Sequence, residues 1–226
     1  MKMDSKLIIA LDVDSLAKAK QLITKLYKHV RVFKIGSQLF TACGPEVISY
    51  IKKKKCEVFL DLKFFDIPNT VEKAVLAAAA KGVFMVTLHA TGGRDMLKRA
   101  SASLRGKRKR PLLVGVTVLT SKNASGTSGE VLRLAGIAKK CGLDGIVCSP
   151  EETEPVKKEY GRKFLVINPG IRPRWAVKND QKRIATPRGA IRKGCDFLVI
   201  GRPVIKARDP VVAVKKILNE MDEAKT

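Results

Sequence analysis

The sequence predicts an α/β protein, a single-domain (β/α)8 barrel of the TIM-barrel architecture, on three observations. Eight short apolar runs alternate with eight amphipathic stretches along the 226 residues. The runs are continuously apolar, as in parallel strands covered on both faces. Polar residues suited to chemistry cluster where the runs end, which is the functional face of such a barrel. An open doubly wound sheet shares this alternation, because strand count alone does not establish closure. No linker divides the chain, so residues 1–226 are read as one domain.

The runs cover residues 7–11, 32–35, 58–62, 84–88, 112–118, 145–148, 164–167 and 197–200, each rich in Val, Ile, Leu or Phe. After the first, Leu16, Ala19, Leu22, Ile23 and Leu26 carry helical spacing over 15–27. A helix over 45–54 opens on Pro45, which is tolerated in a first turn where no helical partner awaits its N–H. The alanine-rich helix over 71–81 stops at Gly82. Helices over 94–104, 130–141, 152–159, 187–193 and 210–220 complete the series. Residues 121–129, rich in Ser, Gly, Asn and Thr, read as the loop after the fifth strand. Residues 172–182, with Trp175, read as the loop after the seventh.

Composition narrows the class further. Hydrophobic residues make up 45% of the chain, which suits a globular protein. No apolar run approaches the roughly 20 residues that span a bilayer, and the first residues lack the long apolar stretch of a signal peptide. A cytoplasmic protein is expected. Cys43, Cys56, Cys141, Cys148 and Cys195 are scattered, without the close spacing of a zinc or redox motif. They are expected to be mostly buried, reduced thiols, with no metal and no disulfide framework.

Lys+Arg 45 against Asp+Glu 21 gives a formal charge of +24, which admits either a polyanionic partner or an enzyme of an anionic substrate. The densest basic runs, 52–55 and 105–110, precede the third and fifth strands. They therefore lie on the amino-terminal face, opposite the functional mouth, and no aromatic residue interleaves 105–110 to stack bases. A solvated surface is the plain reading, and nucleic-acid binding is expected to be non-specific and salt-sensitive at most.

The strand ends supply Asp12, Lys34, Asp61, Lys63, His89, Thr120, Ser121, Ser149, Arg172, Gln181, Gly201 and Arg202. Asp61 and Lys63 are two apart, so on a regular strand both point to one side, here into the barrel. Charges placed there are costly unless paired or bound to ligand. Lys34 can pair with Asp61, and Asp66, past the strand end, can approach Lys63. A purely structural salt-bridge cluster is the competing reading. Gly201-Arg202, in the eighth loop, suits a phosphate: glycine admits backbone amides and arginine adds bidentate donors.

The segment Asp61-Leu-Lys63-Phe-Phe-Asp66-Ile67-Pro68-Asn69-Thr70 resembles the signature of the orotidine 5′-monophosphate decarboxylases. Ala10-Leu11-Asp12, Phe33-Lys34-Ile35-Gly36, Thr87-Leu88-His89-Ala90, Val118-Leu119-Thr120-Ser121, Pro169-Gly170-Ile171-Arg172-Pro173, Asp180-Gln181 and Ile200-Gly201-Arg202-Pro203 resemble further family blocks, in family order. The resemblance implies a homodimeric barrel, free of cofactor and metal, that converts orotidine 5′-monophosphate to UMP and carbon dioxide. It implies catalytic roles for Lys34, Asp61, Lys63 and Asp66, with Asp66 and Thr70 reaching the partner subunit's site. It implies that Asp12 and Lys34 bind ribose and that Ile67, Thr120 and Ser121 contact the nucleotide. Gln181, Gly201 and Arg202 would hold phosphate, with Arg172 at the base of a closing loop. His89, Ser149 and Trp175 receive no role.

Two rivals remain at this stage. One is a magnesium-dependent sugar-phosphate decarboxylase or aldolase sharing the Asp-x-Lys-x-x-Asp core. Residues 67–70 together with Thr120, Ser121 and Gln181 favour a nucleotide over it. The other is a basic nucleic-acid-binding protein.

Overall fold

The computed structural model describes residues 6–118, 127–176 and 185–224. Eight parallel strands form a closed barrel: β1 (Leu7–Ala10), β2 (Val32–Gly36), β3 (Glu57–Phe64), β4 (Met85–His89), β5 (Leu112–Val116), β6 (Gly145–Val147), β7 (Leu165–Asn168) and β8 (Phe197–Ile200). Closure rests on β8 pairing with β1, Ile8 opposite Val199. This excludes the open sheet.

The helices packed around the strands are α1 (Leu16–Leu26), α2 (Ser37–Cys43), α3 (Glu46–Lys53), α4 (Pro68–Ala80) and α5 (Arg94–Ala102). They continue with α6 (Thr127–Lys140), α7 (Thr153–Tyr160), α8 (Pro187–Arg192), α9 (Arg202–Ile205) and α10 (Pro210–Asp222). Local chemistry sets several starts. The Ser15 hydroxyl accepts from Lys18 N–H at 3.4 Å to begin α1, and the Asp209 carboxylate accepts from Val211 and Val212 N–H to begin α10. Pro68 occupies the first turn of α4, so this helix starts three residues ahead of its alanine-rich stretch. Two helices, α2 and α9, were not expected. Both are short and follow a strand directly, where seven and four residues carry too little periodicity to read.

The core has two layers. Strand residues facing outward pack with the helices around Leu7, Ile9, Phe33, Ile35, Leu60 and Val86. Inward-facing residues at alternate positions, among them Ile8, Val32, Phe59, Met85, Val114, Ile167 and Phe197, form a separate apolar plug inside the barrel. Burying each such side chain contributes about 1.5–3 kcal/mol. Gly145 is required where β6 meets β7, because a Cβ there would collide with the Leu165 carbonyl oxygen.

All five cysteines are free thiols; four are buried and Cys43 is half-buried. Burial pushes the Cys195 thiol up to about 12 and the Cys148 thiol well above its ordinary range. Among the described residues, no helix is long and apolar enough to cross a membrane.

Candidate active site

Three neighbouring strands each place a polar side chain one pleat above the apolar plug. Val32 is followed at the next inward position by Lys34, Phe59 by Asp61, and Met85 by Thr87. The period of two that builds the core therefore also builds the floor of the site.

These residues form a chain of alternating charge. Lys34 Nζ donates to Asp12 Oδ1 at 3.2 Å and lies 3.5 Å from Asp61 Oδ2. Lys63 Nζ donates to the other Asp61 oxygen at 2.9 Å. The inner pair is well shielded, with side-chain exposures of 12% for Lys34 and 13% for Asp61, whereas Lys63 and Asp12 are 39% and 48% exposed. Removing one partner of so shielded a pair costs about 3–5 kcal/mol, because the other charge is left uncompensated.

The backbone under Lys63 departs from a regular strand. Phe59 and Leu60 pair with Met85 and Val86, but the next β3–β4 pair is Phe64 with Leu88. Residues 61–63 thus stand opposite Thr87 alone, and Lys63 adopts φ 52, the left-handed region. For a side chain with a Cβ this costs about 1–2 kcal/mol. The Thr87 hydroxyl holds the distortion in place. It accepts from Lys63 N–H at 2.8 Å and donates to Asp61 Oδ1 at 3.1 Å. The simple alternation expected for Asp61 and Lys63 is therefore not how they meet; the bulge sets the lysine, and the two converge above it.

A cavity of about 690 Å³ opens over this floor. Asp12, Lys34, Asp61 and Lys63 line it together with Arg172, Gly201 and Arg202. Val116, Val147, Ile167 and Val199 supply apolar wall. Small residues leave room for the charges: a Cβ on Gly36 would sit 3.2 Å from Lys34 Nζ, and one on Gly201 would sit 3.1 Å from Asp12 Oδ2. Arg172 N–H donates to the Ala185 carbonyl at 3.0 Å, joining the segments on either side of residues 177–184.

The residues of the signature beyond β3 sit differently. Asp66 is exposed and its Oδ1 accepts from Ile67 N–H at 2.6 Å. Among the described residues no ion pair joins Asp66 to Lys63 within the chain. Phe65 and Ile67, 63% and 64% exposed, flank it, and Thr70 is exposed on the first turn of α4. His89 Nδ1 lies 2.6 Å from Thr91 Oγ1, and its ring meets Phe65 edge-on. The Ser149 hydroxyl accepts from Glu151 N–H, a local cap. Trp175 is half-exposed, with Lys216 over its ring. Thr120, Ser121 and Gln181 lie outside the described residues.

Comparison with known proteins addresses the chain as a whole. Residues 5–217 match the model of the orotidine 5′-phosphate decarboxylase / HUMPS family. This chain belongs to that family. An orotidine 5′-phosphate decarboxylase of Syntrophotalea carbinolica is 48% identical, over 97% of this chain and 96% of the relative. One of Saccharophagus degradans is 46% identical, over 98% and 97%. A solved orotidine 5′-phosphate decarboxylase of Lactobacillus acidophilus superimposes with a TM-score of 0.82 at 35% identity, over 96% of this chain and 98% of that one.

Within this family member, Thr87 is the residue that sequence reasoning missed. His89 is the polar residue at the end of β4, yet Thr87 lies on the same inward face one pleat lower, level with Asp61. A polar residue inside an otherwise apolar run was the available signal.

Proposed function

We propose that this chain decarboxylates orotidine 5′-monophosphate to UMP and carbon dioxide, with Lys63 as the proton donor. Family membership supplies the substrate class. The observation that carries the residue assignment is the Lys34–Asp61–Lys63 array, rigidly set above the plug and open to the cavity.

The reaction breaks the bond from pyrimidine carbon 6 to the carboxylate, and the electron pair stays on carbon 6. The Lys63 ammonium faces that charge as it develops, then passes its proton to carbon 6. Water restores the ammonium. Stabilisation of this kind is effective when the charges are fixed beforehand and need little rearrangement. Asp61, bonded by Lys63, Lys34 and Thr87, is such a fixed group. Its negative charge beside the substrate carboxylate adds repulsion that is relieved as carbon dioxide leaves, a smaller contribution.

Asp12 and Lys34 bind the ribose hydroxyls, Ile67, Thr120 and Ser121 contact the base and its surroundings, and Gln181, Gly201 and Arg202 hold the phosphate, with Arg172 at the base of the seventh loop. Remote phosphate binding then contributes to the transition state. The enzyme works in the cytoplasm as a homodimer, with Asp66 and Thr70 completing the partner's site. Exposure of Phe65, Asp66, Ile67 and Thr70 just past the end of β3 supports that assignment.

The test is loss of orotidine absorbance followed with wild type and Lys63→Ala. Wild type turns over with or without excess chelator, and the variant loses at least about a thousandfold in kcat, the scale expected for losing both a proton donor and a preorganised charge. Equal turnover by the variant would refute Lys63 as donor. Activity abolished by chelator would favour the magnesium-dependent rival.

A further inference from the structure

The turns that lead from helix into strand all lie at the end of the barrel opposite the cavity. Six of the seven turns from helix into strand carry an exposed lysine or arginine, Lys6 stands just before β1, and the exposed Lys140 ends α6 ahead of β6. Lys28 precedes β2, Lys55 β3, Lys81 β4 and Arg108 β5; Lys163 and Lys193 precede β7 and β8. The two basic runs of the sequence are thus the densest parts of a ring that topology closes.

Little negative charge offsets the ring. Asp144 and Asp196 are the carboxylates in the turns joining helix to strand, and both are already held. Arg110 bonds Asp144 through two nitrogens at 2.7 Å, and Leu113 N–H donates to it as well. Lys157 and Val166 N–H hold Asp196. The fixed acids anchor strand starts and leave the lysines facing solvent.

We propose that this face is a docking surface for a double-helical polynucleotide, bound through its phosphates with the active-site mouth left open. Charge complementarity with a regular phosphate array supports the occupant. The large exposed apolar side chains, Phe65, Ile67, Trp175 and Val212, all lie outside these turns. Among the described residues the face therefore has no wedge for a lipid surface, where stable anchoring needs a second, apolar element. Tyr27 is half-buried with Lys28 and Lys54 over its ring, so it offers no free platform for unpaired bases. A duplex, which presents phosphates and needs no stacking, fits both facts. Sequence preference is not expected, since phosphate contacts carry none.

The experiment compares two triple variants with the same total charge, using a fluorescent duplex of about 20 base pairs at about 50 mM salt. One variant reverses the face (Lys53→Glu, Arg108→Glu, Lys163→Glu). The control reverses exposed mid-helix positions (Lys73→Glu, Lys98→Glu, Lys215→Glu), with folding of both checked by circular dichroism. Wild type binds with an affinity that falls steeply with salt, by about 0.9 log units per log unit of salt for each phosphate engaged. The face variant binds at least about tenfold more weakly and with a shallower slope, while the control stays within about threefold. Arg108→Glu against Lys98→Glu repeats the comparison at smaller amplitude if a triple variant fails to fold. Equal weakening by face and control would overturn the proposal, as would displacement of the duplex by UMP. Tighter binding of a single strand, or of phosphatidylserine vesicles, would also overturn it.

Discussion

Replacing Thr87 by valine tests whether the geometry under Lys63 is held as described. Valine keeps the shape of threonine and swaps the hydroxyl for a methyl, so the fully buried position stays filled. Two hydrogen bonds disappear. The one donated to the Asp61 carboxylate at 3.1 Å is a bond to a charged group, worth about 1.5–3 kcal/mol. The one accepted from Lys63 N–H at 2.8 Å leaves a donor without its partner, at about 1–3 kcal/mol. Partial relaxation makes the two less than additive, so the expected loss of stability is about 2–4 kcal/mol, read as a lower urea midpoint. Catalysis should fall separately. Lys63 is no longer pinned at φ 52 and its ammonium is less well placed over carbon 6. A loss of about 1.4–2.8 kcal/mol in the transition state is a ten- to hundredfold drop in kcat. KM should change by less than about threefold, because Thr87 does not itself line the cavity. Thr87→Ser, which keeps the hydroxyl, should recover most of kcat. Wild-type kcat in the valine variant, or equal damage in the serine variant, would show that the hydroxyl does not position the lysine.

Three further outcomes are expected. Lys63→Ala and Asp66→Ala proteins, each inactive alone, should regain about a quarter of wild-type sites when mixed if Asp66 serves the partner's site; no recovery despite demonstrated subunit exchange would count against a shared site. Glu152 is buried with Oε2 unbonded, and burial, more than the neighbouring Glu151 charge, pushes its carboxyl above the ordinary value of 4.5. Its neutral form is favoured in the fold, so its stabilising contribution is complete below the unfolded pKa and is lost as pH rises through the folded one. Glu152→Gln should therefore raise the urea midpoint at pH about 8 and make little difference at pH about 4, and a lower midpoint at the higher pH would refute this. Lys55 is an exposed turn residue at φ 57, so Lys55→Gly should stabilise by about 0.5–1 kcal/mol in thermal unfolding, and a loss of stability would contradict the strain assigned there.

The strands were legible because a parallel barrel buries both faces of each one, and continuous Val, Ile and Leu runs are its direct imprint. The order of polar residues at the strand ends was legible for the same reason, since barrel topology sends every strand end to one mouth. What did not read through was anything depending on pairing between strands. The bulge between Leu60 and Phe64 arises from how β3 meets β4, and no property of residues 57–64 alone announces it. Lys63 in a left-handed conformation violates local preference, which is where sequence rules fail at sites under functional strain. Thr87 was hidden by the same cause: its value lies in what stands opposite it. Asp66 shows a different limit. Its position past the strand end was plain, but among the described residues its carboxylate is bonded by Ile67 N–H alone, and the role proposed for it lies in a second subunit.

The site and the core are built by one alternation, and this explains how the protein sustains buried charge. Val32, Phe59 and Met85 fill the barrel beneath Lys34, Asp61 and Thr87, so the polar layer rests on packed groups that exclude water. That low-dielectric floor strengthens each charge interaction above it. It also makes any unpaired charge costly, so the array must be complete before substrate arrives. Lys34 and Lys63 satisfy Asp61, and Asp12 satisfies Lys34. The open position is on Lys63, at the cavity side and 39% exposed, facing the space where a carbanion would form. The proposed reaction needs one group that is charged, fixed and incompletely neutralised. Strand pairing around residues 61–63 leaves Lys63 in that condition.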